Sequence, residues 1–124
     1  MALHRRDLIR LARTLEDRAE ALRAEIRRDV ARSRDETYAE IAGPTHDSGD
    51  EALASLVADL GNADLARDVD ELRGLEAARR RIADGNYGVC ADCGGDIPVE
   101  RLHANPAAAR CAGCQARHEK TYRR

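Results

Sequence analysis

The chain has no tryptophan and no phenylalanine, and aromatic residues make up 2 % of its 124 positions. Large rings carry much of the burial in a thick interior, and Leu, Ile and Val together supply only 22 side chains. A deep globular core is therefore not expected. No segment approaches the roughly 20 consecutive apolar residues that a membrane span requires. Residues 1–10 carry charge where a secretory leader would be apolar, so the expectation is a soluble cytoplasmic protein. No nucleophile, base and orienting group stand in a recognisable arrangement, and no glycine-rich phosphate loop opens a helix. Those absences argue against an enzyme.

What the chain does have is helix-forming composition. Ala, Glu, Lys, Leu and Arg make up over half of it, as in long helices and coiled coils. Its 21 basic and 23 acidic groups leave a net charge of -2, but the two signs are unevenly spread. Residues 43–74 hold 2 basic and 8 acidic groups, whereas residues 75–124 hold 9 and 6. Nucleic-acid binding by phosphate neutralisation needs a concentrated basic face. Only the last third offers a modest one, so nucleic acid is a poor first guess as a partner for the middle of the chain.

Apolar residues run Leu8, Leu11, Leu15, Ala19, Leu22, Ile26 and Val30, in steps of three and four that keep one stripe on one helix face. The stripe continues more weakly through Ser33, Thr37 and Ile41, and Gly43-Pro44 supplies a stop. The first helix is thus predicted to end near Ala42. A polar turn over residues 45–50 follows, and Ser48 with Glu51 has the form of a capping box. Helical spacing then resumes from Leu53 to Ile82, with an irregular step between Leu60 and Leu65. Gly61 and Gly74 each cost about 1 kcal/mol in a helix interior, and Gly85 is placed to cap the end. The prediction is an antiparallel pair of helices of about 35 residues each, joined by about eight, with an acidic tip.

All four cysteines lie in the last third, as Cys90-x2-Cys93 and Cys111-x2-Cys114 separated by seventeen residues. This is four-thiolate zinc spacing. Each pair can turn its sulfurs to one side of a knuckle, and two knuckles complete a tetrahedron. The alternative, a pair of disulfides, suits an oxidising compartment that nothing in the chain suggests. Four thiolates leave no open coordination position, so the zinc is expected to be structural. Without it, residues 86–114 have few large aliphatics, chiefly Val89, Ile97, Val99 and Leu102, and should be largely unfolded. His103 and His118 lie near the quartet, but four cysteines already complete the shell.

Residues 87–115 resemble the zinc finger of the DksA/TraR family of bacterial RNA polymerase-binding regulators. Tyr87-Gly88, the two CxxC pairs, Gly94, Ile97, Arg101 and Pro106 carry the resemblance. Independently, Asp47-Ser48-Gly49-Asp50-Glu51-Ala52 fits the DxxDxA signature at the coiled-coil tip of longer members. The resemblance implies a mainly α fold: a long antiparallel two-helix coiled-coil hairpin over residues 1–85, its acidic tip at 43–52. A four-Cys zinc finger and C-terminal helix would follow over 86–124.

The same resemblance implies a transcription regulator that binds bacterial RNA polymerase through its secondary channel with no sequence-specific DNA binding, and a monomer is expected. In that channel Asp47, Asp50 and Ala52 would modulate initiation without contacting promoter sequence. Two other functions fit the residues. One is a transcript-cleavage accessory whose carboxylates assist a metal ion. The other is a zinc-stabilised adaptor for protein or nucleic acid using Arg101, Arg110, Arg117, Lys120, Arg123 and Arg124.

Overall fold

The computed structural model describes residues 3–33 and 49–122. Five helices follow one another: α1 (Arg5–Ser33), α2 (Gly49–Leu60), α3 (Ala63–Asp84), α4 (Val99–Ala104) and α5 (Ala112–Tyr122). The bridge between Val89 and Asp96 is the one sheet-like pairing among the described residues. The fold is therefore mainly α, with the four cysteines near its C-terminal end. The predicted stop at Gly43-Pro44 and the Ser48 cap lie outside the described residues. Gly49 and Asp50, read from sequence as turn, belong to α2.

The backbone groups into two compact units. The first combines Met1–Asp17 with Leu75–Arg124, and the second is Arg18–Gly74. In the second, the stripe on α1 is buried as its spacing requires: Ile26 is fully covered and Val30 is 1 % exposed. Leu53 and Val57 of α2, and Leu65, Val69 and Leu72 of α3, are the matching buried positions. Aliphatic side chains three and four apart form the core of this unit. In the first unit, Leu11 and Leu15 of α1 and Leu75 and Ala78 of α3 are buried. No polar or charged residue is buried among the described residues of either unit.

The second helix of the sequence reading is two helices. Gly61 adopts φ +68 and closes α2, its amide donating to the Ala58 carbonyl at 3.2 Å. Asn62 then opens α3: its Oδ1 accepts from the amides of Asp64 at 3.0 Å and Leu65 at 3.1 Å. A left-handed glycine followed by an N-cap asparagine stops one helix and starts the next. The irregular step from Leu60 to Leu65 was the trace of this break. Gly74, with the same intrinsic cost, stays within α3 between buried Leu72 and Leu75.

The end of α3 is closed as the sequence predicts. Gly85 has φ +83, its amide donates to Ile82 at 3.1 Å, and the Asn86 amide reaches Arg81 at 3.0 Å. These are the two bonds of a Schellman cap, and the chain leaves the helix aimed into the cysteine segment.

Candidate metal centre

The first knuckle is built by backbone bonds. The Cys90 amide donates to the Gly95 carbonyl at 2.8 Å, and the Gly94 amide returns to the Cys90 carbonyl at 3.0 Å. Closing that loop puts Gly94 at φ +75, a conformation in which L side chains are strained. The Cys93 amide then points at Cys90 Sγ, 3.5 Å away. The second knuckle uses a helix start instead. Cys111 immediately precedes α5, Cys114 lies in its first turn, and the Gln115 amide donates to the Cys111 carbonyl at 2.9 Å. Free amides and the positive end of a helix dipole favour thiolate at both places.

The two knuckles are tied together by a set of bonds that does not involve sulfur. Ala91 donates its amide to the Ala109 carbonyl at 2.8 Å. Arg110 Nε meets Asp92 Oδ2 at 2.9 Å, and Arg101 Nε donates to the Arg110 carbonyl at 2.9 Å. Tyr87, 2 % exposed, donates its hydroxyl to the Pro106 carbonyl at 2.8 Å. Burial pushes that phenol up to about 12, so it remains a donor at any ordinary pH. Arg81 Nη2 reaches the carbonyls of Ala107 and Ala108 at 3.3 and 3.4 Å. Burial lowers this guanidinium's pKa, and it fastens the end of α3 to the loop before the second knuckle.

Under this frame lies a small apolar floor. Leu102 of α4 is fully buried and Ile97 is 2 % exposed, while Val89 and Val99 are only partly covered. Gly88, at φ +87, is packed so that a Cβ there would meet Leu3 at 3.5 Å and Leu102 at 3.7 Å. The Ile97 amide donates to its carbonyl at 2.8 Å.

The result brings all four sulfurs within 4.8 Å of one another, with Cys93 and Cys111 Sγ 4.0 Å apart. Zn–S bonds near 2.3 Å place the sulfurs of a tetrahedron about 3.8 Å apart. The four cysteines are thus positioned to bind one metal ion, and an all-sulfur set selects zinc over the hard cations. No disulfide is formed. The Cys93 amide is the main cause that lowers Cys90 to about 6, and the Cys114 amide lowers Cys111. Cys114, facing the sulfur of Cys111 and buried, is pushed up to about 12. Four thiolates cannot share this space without a cation between them. Arg117 contributes a positive group from outside, its Nη2 3.0 Å from Cys114 Sγ.

Neither histidine joins the cluster. His103 Nε2 faces Asp7 Oδ1 of α1 at 3.4 Å. Among the basic residues considered for a nucleic-acid surface, Arg101, Arg110 and Arg117 are engaged by a carbonyl, a carboxylate and a sulfur. Their structural roles, and those of Tyr87 and Arg81, were not predicted from the residues themselves. The sequence carried no signal beyond the place of Tyr87 and Arg101 in a family pattern. At the tip, Asp47 lies outside the described residues, Asp50 falls in the first turn of α2, and Ala52 is exposed.

Comparison with known proteins agrees with this geometry. A family described as the prokaryotic dksA/traR C4-type zinc finger matches residues 85–120. The RNA polymerase-binding transcription factor DksA of Escherichia coli K12 is 32 % identical over 108 residues, covering 87 % of this chain and 68 % of that protein. DksA of Caulobacter vibrioides NA1000 is 41 % identical over 49 residues, 40 % of this chain and 34 % of its own length. The solved structure of transcription factor DksA2 from Pseudomonas aeruginosa aligns with 94 % of this chain and 81 % of its own, at 31 % identity and a TM-score of 0.47. With its helices, its C4 zinc centre and this extent of identity, the chain belongs to the DksA/TraR family.

Proposed function

We propose that the protein regulates transcription by binding bacterial RNA polymerase, entering its secondary channel and modulating initiation with the acidic tip. The observation that carries this reading is the 32 % identity spread over 87 % of the chain to a relative named as an RNA polymerase-binding transcription factor. Had the likeness stopped at the zinc motif, a generic zinc module would serve equally well.

On this reading Cys90, Cys93, Cys111 and Cys114 are the ligands of one zinc ion. A closed tetrathiolate shell stabilises folded structure and offers no site for a substrate or an attacking water. The chain's own residues do the rest of the structural work: Tyr87, Arg81 and Arg101 hold the two knuckles in register, and α3 carries that module on its C-terminal end. Residues 1–85 then present the tip and residues 86–124 form its base. Asp47 and Asp50 bring negative charge near the polymerase's catalytic metal and mobile elements, and Ala52 leaves room for close approach. The chemistry remains the polymerase's, and the regulator has no reaction of its own. It works as a monomer in the cytoplasm, where its polymerase partner is.

Purified, zinc-loaded protein mixed with bacterial core polymerase tests the proposal. Binding at micromolar concentration and an altered yield of initiated transcript are expected. Asp47→Asn combined with Asp50→Asn should leave binding within about threefold, since the substitutions keep side-chain size and remove only charge, and should abolish the effect on initiation. Absence of binding at micromolar protein would end the proposal.

A further inference from the structure

Among the described residues, Ile9 is the exposed large hydrophobic side chain, with 55 % of its surface open. It does not stand alone. Arg6, Arg10 and Arg13 surround it on the same face of α1, and the four side chains line a shallow surface depression of about 350 Å³. All three arginines are exposed, and no described carboxylate pairs with any of them. Other arginines of the same unit are engaged: Arg79 with Glu16 and Glu76, Arg81 and Arg101 with carbonyls, Arg110 with Asp92. Three guanidinium groups are gathered around one apolar group.

We infer that this face of α1 is a docking surface for RNA polymerase, and that it receives an acidic protein surface bearing an apolar side chain. The inference rests on the polymerase-binding reading above and adds where on this chain contact is made. An isoleucine between charged donors has the form of an interface centre with its polar rim: the apolar group is desolvated and the arginines orient it by bidentate contacts to carboxylates. Phosphate backbone would satisfy the arginines but leave the isoleucine without a partner, which selects protein over nucleic acid.

Two variants of the full zinc-loaded chain separate charge from contact. Arg6→Glu/Arg10→Glu/Arg13→Glu reverses the rim with a residue whose helix propensity is close to that of arginine, so the helix is retained. Ile9→Ala removes the centre with no change of charge. Affinity for purified core polymerase is measured by biolayer interferometry, with affinity for duplex DNA as a second arm and circular dichroism and zinc content as checks on folding. The expected result is at least tenfold weaker polymerase binding for the first variant and about fivefold for the second, with a faster off-rate in both. Unchanged polymerase affinity in both variants, with the wild type binding, overturns this surface and leaves the polymerase reading standing. A wild type that does not bind polymerase overturns both. Loss of DNA affinity alone, with polymerase binding unaltered, also overturns the surface.

Discussion

Residues 86–114 and the unit Arg18–Gly74 fold by different means. The helical unit buries a regular stripe, with Ile26 fully covered and Leu53, Val57, Leu65 and Leu72 at 3 % exposure or less. Its stability comes from removing aliphatic surface from water. The cysteine segment has Leu102 and Ile97 as its covered aliphatics and exposes Cys93. Its order comes from backbone bonds, from arginines and a tyrosine aimed at carbonyls, and from the metal its sulfurs are placed to hold. Periodicity specifies the first kind of region residue by residue. The second is specified by a few irreplaceable positions, and a single lost atom at one of them should have a larger effect than a lost methyl group in the stripe.

The sharpest contrast lies in metal removal. Structural zinc sites of this type contribute on the order of 10 kcal/mol to folding. Chelation, or Cys90→Ser, should therefore unfold residues 86–114 while the amides of α1 and α2 in the second unit keep their protection. Hydrogen exchange followed by mass spectrometry reads both at once, and equal loss of protection in the two regions would erase the distinction.

Acid should produce the same separation reversibly. Metal binding requires thiolates, so affinity falls as pH falls. The metal-free segment is unfolded, so its thiols lack the knuckle amides that favour thiolate and give up protons when zinc binds. Calorimetry in buffers of different ionisation heat should accordingly find protons released on zinc binding at neutral pH, and protection of residues 86–114 should be lost as acid displaces the metal.

Next in size is Ile26→Ala, which should cost 2–5 kcal/mol, roughly the range for a large aliphatic truncated in a packed core. Urea unfolding measures the loss, and zinc affinity should not change, because Ile26 and the cysteines belong to different compact units and sites without shared partners behave additively. Tyr87→Phe strands the Pro106 carbonyl that its hydroxyl now serves, at about 1–3 kcal/mol. Its signature is faster zinc release with helix content preserved. Asn62→Ala is the smallest, at about 1 kcal/mol for a lost N-cap, and should appear as fraying at the start of α3 in amide exchange.

The stripe on α1 and the cysteine spacing were both legible in the sequence, since each is a pattern along the chain that a single periodicity or distance rule decodes. Gly85 was legible for the same reason, as a glycine just beyond a run of arginines at a helix end. The break at Gly61 was half-visible. Intrinsic cost does not distinguish Gly61 from Gly74, and what separates them is tertiary: Gly74 lies between leucines buried in α3, whereas Gly61 is followed by an asparagine whose side chain satisfies two amides of the next helix. Ala78, fully buried, gave no sign of being a close-packing position. The arginines were least legible. Arg81, Arg101 and Arg117 read as surface charge, and only the folded backbone brings a carbonyl or a sulfur to within reach of each.

The account's central claim is that the acidic tip reaches the interior of the polymerase while the zinc-held region stays at its surface. Photocrosslinking tests it directly, with a benzophenone amino acid placed at position 48 in one sample and at position 120 in another, each mixed with core polymerase. The account predicts adducts from position 48 to segments surrounding the catalytic metal and adducts from position 120 to the polymerase exterior. Adducts from position 48 confined to the outer surface, or formed equally with an unrelated protein, would contradict it.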